Sequence, residues 1–379
     1  MKVIIAPDKF KGSLTSFEAC EAIAAGIRAA GGRMDILQFP MADGGDGFSA
    51  VMKHYLHTDT VPCLAEDPLG RPVKASYELK DEVAIVDVAS ASGLVLLKEG
   101  ERNALLTSTY GTGVMIREAI SAGAGKIILG LGGSATNDAG TGILAALGFQ
   151  FFDKGGQILK PCGGNLANIH RIVPPGNLPD IRFDIACDVQ NTLYGEQGAA
   201  HVYAPQKGAS PEDVRLLDAG LRHFADLLGN DVADIPGTGA AGGIAAGLMG
   251  FFDVKLSKGI EWVISTSRIR DAVTGSSLVI TGEGRIDNQS LYGKVVSDIA
   301  AIAASCNIPA IAFCGINDAE ETELAALQLR SVTSIATAGA DRRYAMQHAA
   351  QLLTDAVQSV FLSSYATDHN QHPLSGRRP

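Results

Sequence analysis

Apolar positions in this chain come in short blocks separated by stretches of helical spacing. Residues 3–6 are an unbroken apolar run behind Lys2, and a short run without polar positions reads as a strand buried on both faces. A loop at 8–13 follows. Residues 16–30 then place apolar side chains on one helical face, with Ser16 as the expected cap and Gly31-Gly32 as the stop. Residues 36–39 give a second strand. Beyond Asp43-Gly-Gly-Asp46-Gly47 come a helix through Tyr55 and a strand at 60–64. This βαβαβ rhythm predicts a Rossmann-like sheet.

The rhythm changes at Pro68-Leu-Gly-Arg-Pro72, where a domain boundary is expected. Residues 73–77 and 83–88 alternate as a hairpin about Lys80-Asp81. Strands at 127–129, 149–152 and 182–187 and helices at 211–229, 244–251 and 260–267 fill the middle. From 277 the βα alternation returns, with strands at 278–281, 310–314 and 331–335 and helices at 294–305, 320–327 and 344–362. The chain therefore reads as an α/β protein of two domains. A discontinuous Rossmann-like three-layer α/β/α domain, residues 1–67 plus 268–379, holds an inserted mixed α/β domain, 68–267, with the Gly-rich loops. Residues 363–379, polar with two late prolines, are expected to form a flexible tail.

Composition narrows the function classes. A chain of 379 residues with 46% hydrophobic positions can bury two cores. Its formal charge of -10, with Lys and Arg scattered, argues against a nucleic-acid surface but leaves small polyanions open. No window reaches the roughly 18 uncharged apolar residues of a membrane span, so a cytoplasmic protein is expected. The six cysteines lack metal-ligand spacing and read as reduced thiols, and the eight histidines form no paired motif. Forty-four glycines exceed the usual share of about 7% and cluster in turns, where a backbone bends tightly or approaches a ligand.

The candidate chemistry centres on Lys126-Ile-Ile-Leu-Gly-Leu-Gly-Gly-Ser-Ala-Thr-Asn-Asp138. After the strand, Gly132 and Gly133 bare the amides, while Ser134, Thr136 and Asn137 offer caps to a following helix, an arrangement suited to phosphate. Gly130 to Ala135 also satisfies G-x-G-x-x-A, with Asp153 at a distance suited to ribose, so an NAD-dependent dehydrogenase is the alternative. Against it, Thr136-Asn137-Asp138 is polar where a Rossmann helix packs on its sheet. A Walker lysine pattern is absent. A second loop, Gly237 to Gly243, could join the first in cradling a triphosphate through Gly242 and Gly243; close small-residue packing is the competing reading.

Thr281-Gly-Glu-Gly-Arg-Ile-Asp287 follows a strand, and Glu283 and Asp287 are hard carboxylates of the kind Mg²⁺ takes; a turn salt-bridged by Arg285 is the alternative. Asp188, ending a strand, and Asp43, beside a glycine pair, are candidates to orient an acceptor hydroxyl. Asx-turn capping competes, and outweighs catalysis at Asp46. Arg71, Lys9 and Ser13 lie in loops where a carboxylate or phosphate could be gripped.

With these residues laid out, the chain resembles the bacterial class I glycerate kinases. The likeness rests on Ile5-Ala-Pro-Asp8, Ala42-Asp-Gly-Gly45, Pro68-Leu-Gly70, Thr109-Tyr-Gly-Thr-Gly113, Gly130 to Asp138, Ala186-Cys-Asp188, Pro205-Gln-Lys-Gly-Ala209, Gly239-Ala-Ala-Gly-Gly243 and Ile280 to Asp287. The resemblance implies ATP-dependent phosphorylation of D-glycerate with Mg²⁺, two α/β domains with the site in their cleft, and 2-phosphoglycerate as product. Monomer and homodimer are both compatible with it.

Overall fold

Residues 2–7 leave the amino terminus as the first of the strands in this computed structural model, which describes every residue except 32, 33, 46, 230, 288–293, 337–340 and 371–379. In chain order the described strands are β1 (Lys2–Pro7), β2 (Asp35–Gln38), β3 (Asp59–Glu66), β4 (Pro72–Lys80), β5 (Val83–Asp87), β6 (Lys126–Gly130), β7 (Gln150–Phe152), β8 (Arg171–Val173), β9 (Arg182–Ala186), β10 (Asp253–Ser257), β11 (Leu278–Ile286), β12 (Ala310–Asn317) and β13 (Ser331–Ser334). The chain divides into two units, one of Met1–Ala42 with Val263–Pro379 and one of Asp43–Trp262.

The first unit holds a parallel sheet in the order β13-β12-β11-β1-β2. Alternate residues of β12 face different clusters. Ile311 and Phe313 join Ile23, Ile27, Leu353 and Val357 of the helices Ser16–Ala29 and Ala349–Asn370. Ala312 and Cys314 pack with Val296 of the helix Val295–Ser305. Helices thus cover both faces, which is why these strands read as continuous apolar runs. β1 leads outward to β2 and β11 leads the other way to β12 and β13, so the strand order reverses between β1 and β11. In open α/β sheets, ligands bind outside the carboxyl ends at such a point.

The second unit has a mixed sheet, β10-β9-β6-β5-β4-β3, in which the first four strands are parallel and β4 and β3 antiparallel. β7 and β8 form a separate ribbon. One large core, including Ile127, Leu129, Phe183, Ile185 and Phe224, lies within this unit.

Several expectations are corrected. Residues 60–64 are not a Rossmann strand: β3 pairs antiparallel with β4, Val61 opposite Tyr77 and Cys63 opposite Ala75, so residues 43–67 belong to the second unit. The reason is in the alternation. Val61, Cys63 and Ala65 face the core while Leu64 is 71% exposed, the pattern of a strand with one wet face. Thr15, not Ser16, caps the first helix, because Thr15 and Glu18 form a reciprocal capping box that Ser16 and Ala19 cannot. Gly32, half of the expected stop, and Asp46 lie outside the described residues. β11 runs on through Ile286, so most of the Thr281–Asp287 motif is strand and not turn. β10 and the ribbon strand β8 carry no strong apolar run and were not anticipated. The last helix reaches Asn370, into the expected tail; residues 371–379 lie outside the described residues. No described helix is long and apolar enough to cross a membrane.

Candidate functional site

In the second unit, the carboxyl ends of β5, β6 and β9 bring Asp87, the Gly130 loop and Asp188 to one edge of the sheet. The loop is longer than its sequence suggests. Its helix, Thr141–Ala146, starts only after Gly140 and has six residues. The helix start already holds an anion, since the Asp138 carboxylate accepts from the Gly140 and Gly142 amides, each at 3.2 Å. Thr109 adds its amide at 2.8 Å and its hydroxyl at 2.9 Å. Burial pushes the Asp138 carboxyl above its ordinary range, and these hydrogen bonds, those from Thr109 foremost, pull it back. The expected phosphate grip at a helix N-terminus is therefore replaced: the protein's own carboxylate fills that place.

What remains for a ligand lies earlier in the loop. Among the described residues, the Gly132 and Gly133 amides make no hydrogen bond, and Gly133 is exposed. The Ser134 and Thr136 hydroxyls bond each other at 3.0 Å and the Thr136 amide donates to Ser134 Oγ, so both residues shape the turn. Asn137 is wholly buried, yet neither Oδ1 nor Nδ2 has a partner. A buried amide group left so costs about 1–3 kcal/mol.

The second glycine loop meets the first, as expected, but in a different role. The Ala139 amide donates to Gly242 O at 2.9 Å, and a Cβ on Gly242 would stand 2.2 Å from Thr136 O. Ala241, Gly242 and Gly243 all have positive φ, 51°, 75° and 93°, and the Gly243 amide donates to Ala240 O. Gly242 thus packs closely against the Gly130 loop, the reading weighed against amide donation, and the Gly243 amide is engaged in its own turn.

Asp188 and Asp43 are brought together about Gly44. Asp188 Oδ1 accepts from the Gly259 amide at 3.1 Å, and its Oδ2 lies 3.1 Å from where a Gly44 Cβ would stand. A Cβ on Gly259 would stand 2.3 Å from Gly44 Cα, so both positions need glycine. Asp43 Oδ1 accepts from the Gly45 amide at 3.0 Å, the Asx turn weighed against catalysis.

Arg71, a substrate candidate, is engaged with two acids of its own unit. Its Nε lies 2.5 Å from Asp67 and its Nη1 2.7 Å from Glu101, so two carboxylates already neutralise and orient the guanidinium. Lys9 follows β1, with Nζ 3.8 Å from Asp8, and the Asp8 amide ties the turn to Gly282 of β11. Ser13 donates its hydroxyl to Phe10 O at 2.9 Å and so closes its own turn. At the end of β11, Lys294 Nζ stands 3.8 Å from both Glu283 and Asp287, and Arg285 pairs with Asp318 and Asp287. Among the described residues, no group of three or more His, Cys, Asp or Glu is placed to hold a metal ion.

The family model described as glycerate kinase family matches residues 3–364. The chain belongs to the glycerate kinase family. It is 36% identical over 372 residues to a glycerate kinase of Bacillus subtilis, covering 96% of this chain and 97% of that one. To a glycerate 2-kinase of Escherichia coli it is 39% identical over 324 residues, 83% of this chain and 85% of the other. A crystal structure of a protein assigned as glycerate kinase 2 from Salmonella typhimurium LT2 superposes with a TM-score of 0.82 at 36% identity, covering 97% of this chain and 99% of that chain.

In this family member nothing favours the dehydrogenase alternative. Asp153 follows β7 of the small ribbon, outside the main sheet, and its carboxylate accepts from Gln157 in its own turn. The described cysteines are all free, and burial raises the Cys187 thiol to about 11. Sequence reasoning missed Asp87, Lys207 and Lys294. Asp87 pairs in register with Gly130 and accepts from the Ser49 hydroxyl at 2.6 Å; a lone acid closing an apolar strand was its only signal. Lys207 is 3% exposed, with Nζ donating to Thr136 O at 2.6 Å. Burial lowers its ammonium to about 7 while Asp138 pulls it up.

Proposed function

We propose that this protein transfers the γ-phosphoryl group of ATP to D-glycerate, giving 2-phosphoglycerate. The observation that carries the reading is the meeting of the two glycine loops at the end of β6, with Asp188 at the end of neighbouring β9. The family supports the reaction class, and the Escherichia coli relative named as a glycerate 2-kinase supports the 2-position.

Phosphoryl transfer asks for positioning and charge stabilisation more than for covalent help. The Gly132 and Gly133 amides and Asn137 hold the triphosphate oxygens. Asp188 orients the glycerate C2 hydroxyl and takes its proton as the oxygen bonds to the γ phosphorus. The bond from that phosphorus to the bridging oxygen breaks, and ADP leaves with the electron pair. Asp43 shapes the turn beside Asp188. Lys9 takes the glycerate carboxylate, with Ser13 fixing the turn that presents it.

Glu283 and Asp287 suit Mg²⁺ by their chemistry: two hard carboxylates share the Lys294 ammonium and stand at the carboxyl end of a parallel strand. Bound there, Mg²⁺ would neutralise phosphate charge.

One coupled assay tests both activity and position. The protein is incubated with ATP, Mg²⁺ and D-glycerate, and enolase is added without a mutase. Phosphoenolpyruvate formation is expected. Phosphorylated glycerate that enolase leaves untouched would overturn the 2-position, and no phosphorylated product would overturn the kinase reading.

A further inference from the structure

We propose that Lys207 is a positioning residue for the phosphate loop: it fixes the Thr136–Asn137 peptide and is the loop's side-chain cation. The proposal deepens the kinase reading and rests on it.

Three observations lead there. Lys207 lies in the short turn Pro205–Lys207, 71 residues from the loop in sequence, yet its Nζ reaches Thr136 O at 2.6 Å. A lysine buried to 3% exposure is rare without a task, because the stem can usually carry the charge to water. The residue it anchors precedes Asn137, whose carboxamide is buried with both polar atoms unpartnered.

Geometry links the two. Every described peptide is trans, and across a trans peptide the carbonyl and the next amide point in opposite directions. With Thr136 O drawn to Lys207, the Asn137 amide is turned away from it. Among the described residues that amide makes no hydrogen bond either. Asn137 thus presents an amide N–H and a carboxamide that the fold leaves unsatisfied, aligned by a cation just behind them. An anion met by these donors also feels the Lys207 charge, and in a dry interior that attraction is screened far less than at a surface.

The same cluster makes the interaction sensitive to pH. Asp138 is the charged group that acts on Lys207, and the buried Cys162 thiol feels Asp138 in turn. Arg102 packs its backbone against the adjacent Gly208, while His201, on the neighbouring helix Ala199–Tyr203, is exposed. In the free protein burial brings Lys207 to about 7, and an arriving phosphate favours the charged form. Triphosphate binding at pH 8 should therefore draw a proton onto Lys207.

The test compares wild type with Lys207→Met, which keeps the stem and removes the charge. A nonhydrolysable ATP analogue is titrated calorimetrically at pH 8 in buffers of different ionisation enthalpy, and steady-state kinetics are run beside it. Wild type is expected to take up a proton that Lys207→Met does not. The variant should raise KM for ATP roughly tenfold, the loss of one charge-assisted hydrogen bond, and leave KM for glycerate near its original value. An unchanged KM for ATP, or equal proton uptake, overturns the proposal. Should Lys207→Met fail to fold, wild type alone decides, because uptake at pH 8 must exceed that at pH 6, where Lys207 is already charged. A wild type that turns over glycerate without this difference overturns the Lys207 inference alone; a wild type that neither binds the analogue nor phosphorylates glycerate overturns the kinase reading with it.

Discussion

The amide of Gly259 donates to Asp188 Oδ1 at 3.1 Å, so a residue two steps past β10 fixes a carboxylate two steps past β9. In the proposed reaction this bond orients the Asp188 carboxylate. Asp188→Asn preserves an acceptor for Gly259 but cannot take the hydroxyl proton. Turnover is expected to fall roughly 10²–10⁴-fold, the range for losing a general base, with the thermal midpoint almost unmoved. Near-normal turnover would remove Asp188 from the chemistry.

Lys294 stands 3.8 Å from each of Glu283 and Asp287, so one ammonium serves two carboxylates. Removing it leaves like charges facing each other, a situation a divalent cation relieves. Lys294→Met should therefore bind Mg²⁺ more tightly than wild type, seen as a larger rise of the thermal midpoint on adding MgCl₂. Glu283→Gln should show a smaller rise than wild type. If Mg²⁺ shifts all three proteins equally, the ion is held elsewhere.

Asp138 takes four hydrogen bonds in a fully buried setting and ties Thr109 to the start of the Thr141–Ala146 helix. Asp138→Ala strands those donors and also leaves Lys207 without the charge that acts on it. A loss of about 2–4 kcal/mol is expected in urea unfolding. Thr109→Ser keeps both donors and should lose much less; equal losses for the two variants would contradict this account.

Stability should also respond to Lys207 with a definite sign. Its folded value, about 7, lies below the ordinary lysine value of 10.5. Between these the unfolded chain binds more protons than the folded one, so this contribution makes the fold more stable as pH rises through that window. Lys207→Met removes the contribution. The stability difference between wild type and variant should shift in favour of wild type from pH 7 to pH 10 in chemical unfolding, and a difference that is flat over this range would contradict the burial assigned to the charge.

How far the sequence could be read follows from sequence distance. The strands β1, β6, β11 and β12 announce themselves through continuous apolar runs, because both of their faces are covered. The Gly130 loop was visible through its glycines, and Asp188 through its place at a strand end. β3 was misassigned because five residues of strand look alike until their partner is known, and the partner was the following hairpin strand. Arg71 looked available because Glu101, thirty residues on, is invisible to local inspection. Lys207 was hidden most deeply. Its meaning lies in the burial of a charge against Thr136 O, and neither burial nor that partner is encoded by any spacing around Pro205.

Two glycines of positive φ separate the packing role of the second loop from backbone strain. Gly242 has φ 75°, and an added Cβ would stand 2.2 Å from Thr136 O and 2.4 Å from Asn137 Cα. Gly229, ending the helix Pro211–Leu228, has φ 67° with nothing within 4 Å of a Cβ. Gly229→Ala should cost only the conformational strain, about 1 kcal/mol, and leave KM for ATP unchanged. Gly242→Ala must in addition push the two loops apart, since backbone atoms cannot swing aside as a flexible side chain can. It should cost roughly 1–3 kcal/mol more and raise KM for ATP by displacing Asn137. Denaturant unfolding with ATP-dependent kinetics on both variants checks this. Equal effects of the two substitutions would mean that the Gly242 loop does not position the Gly130 loop, and that its glycines answer only to their own turn.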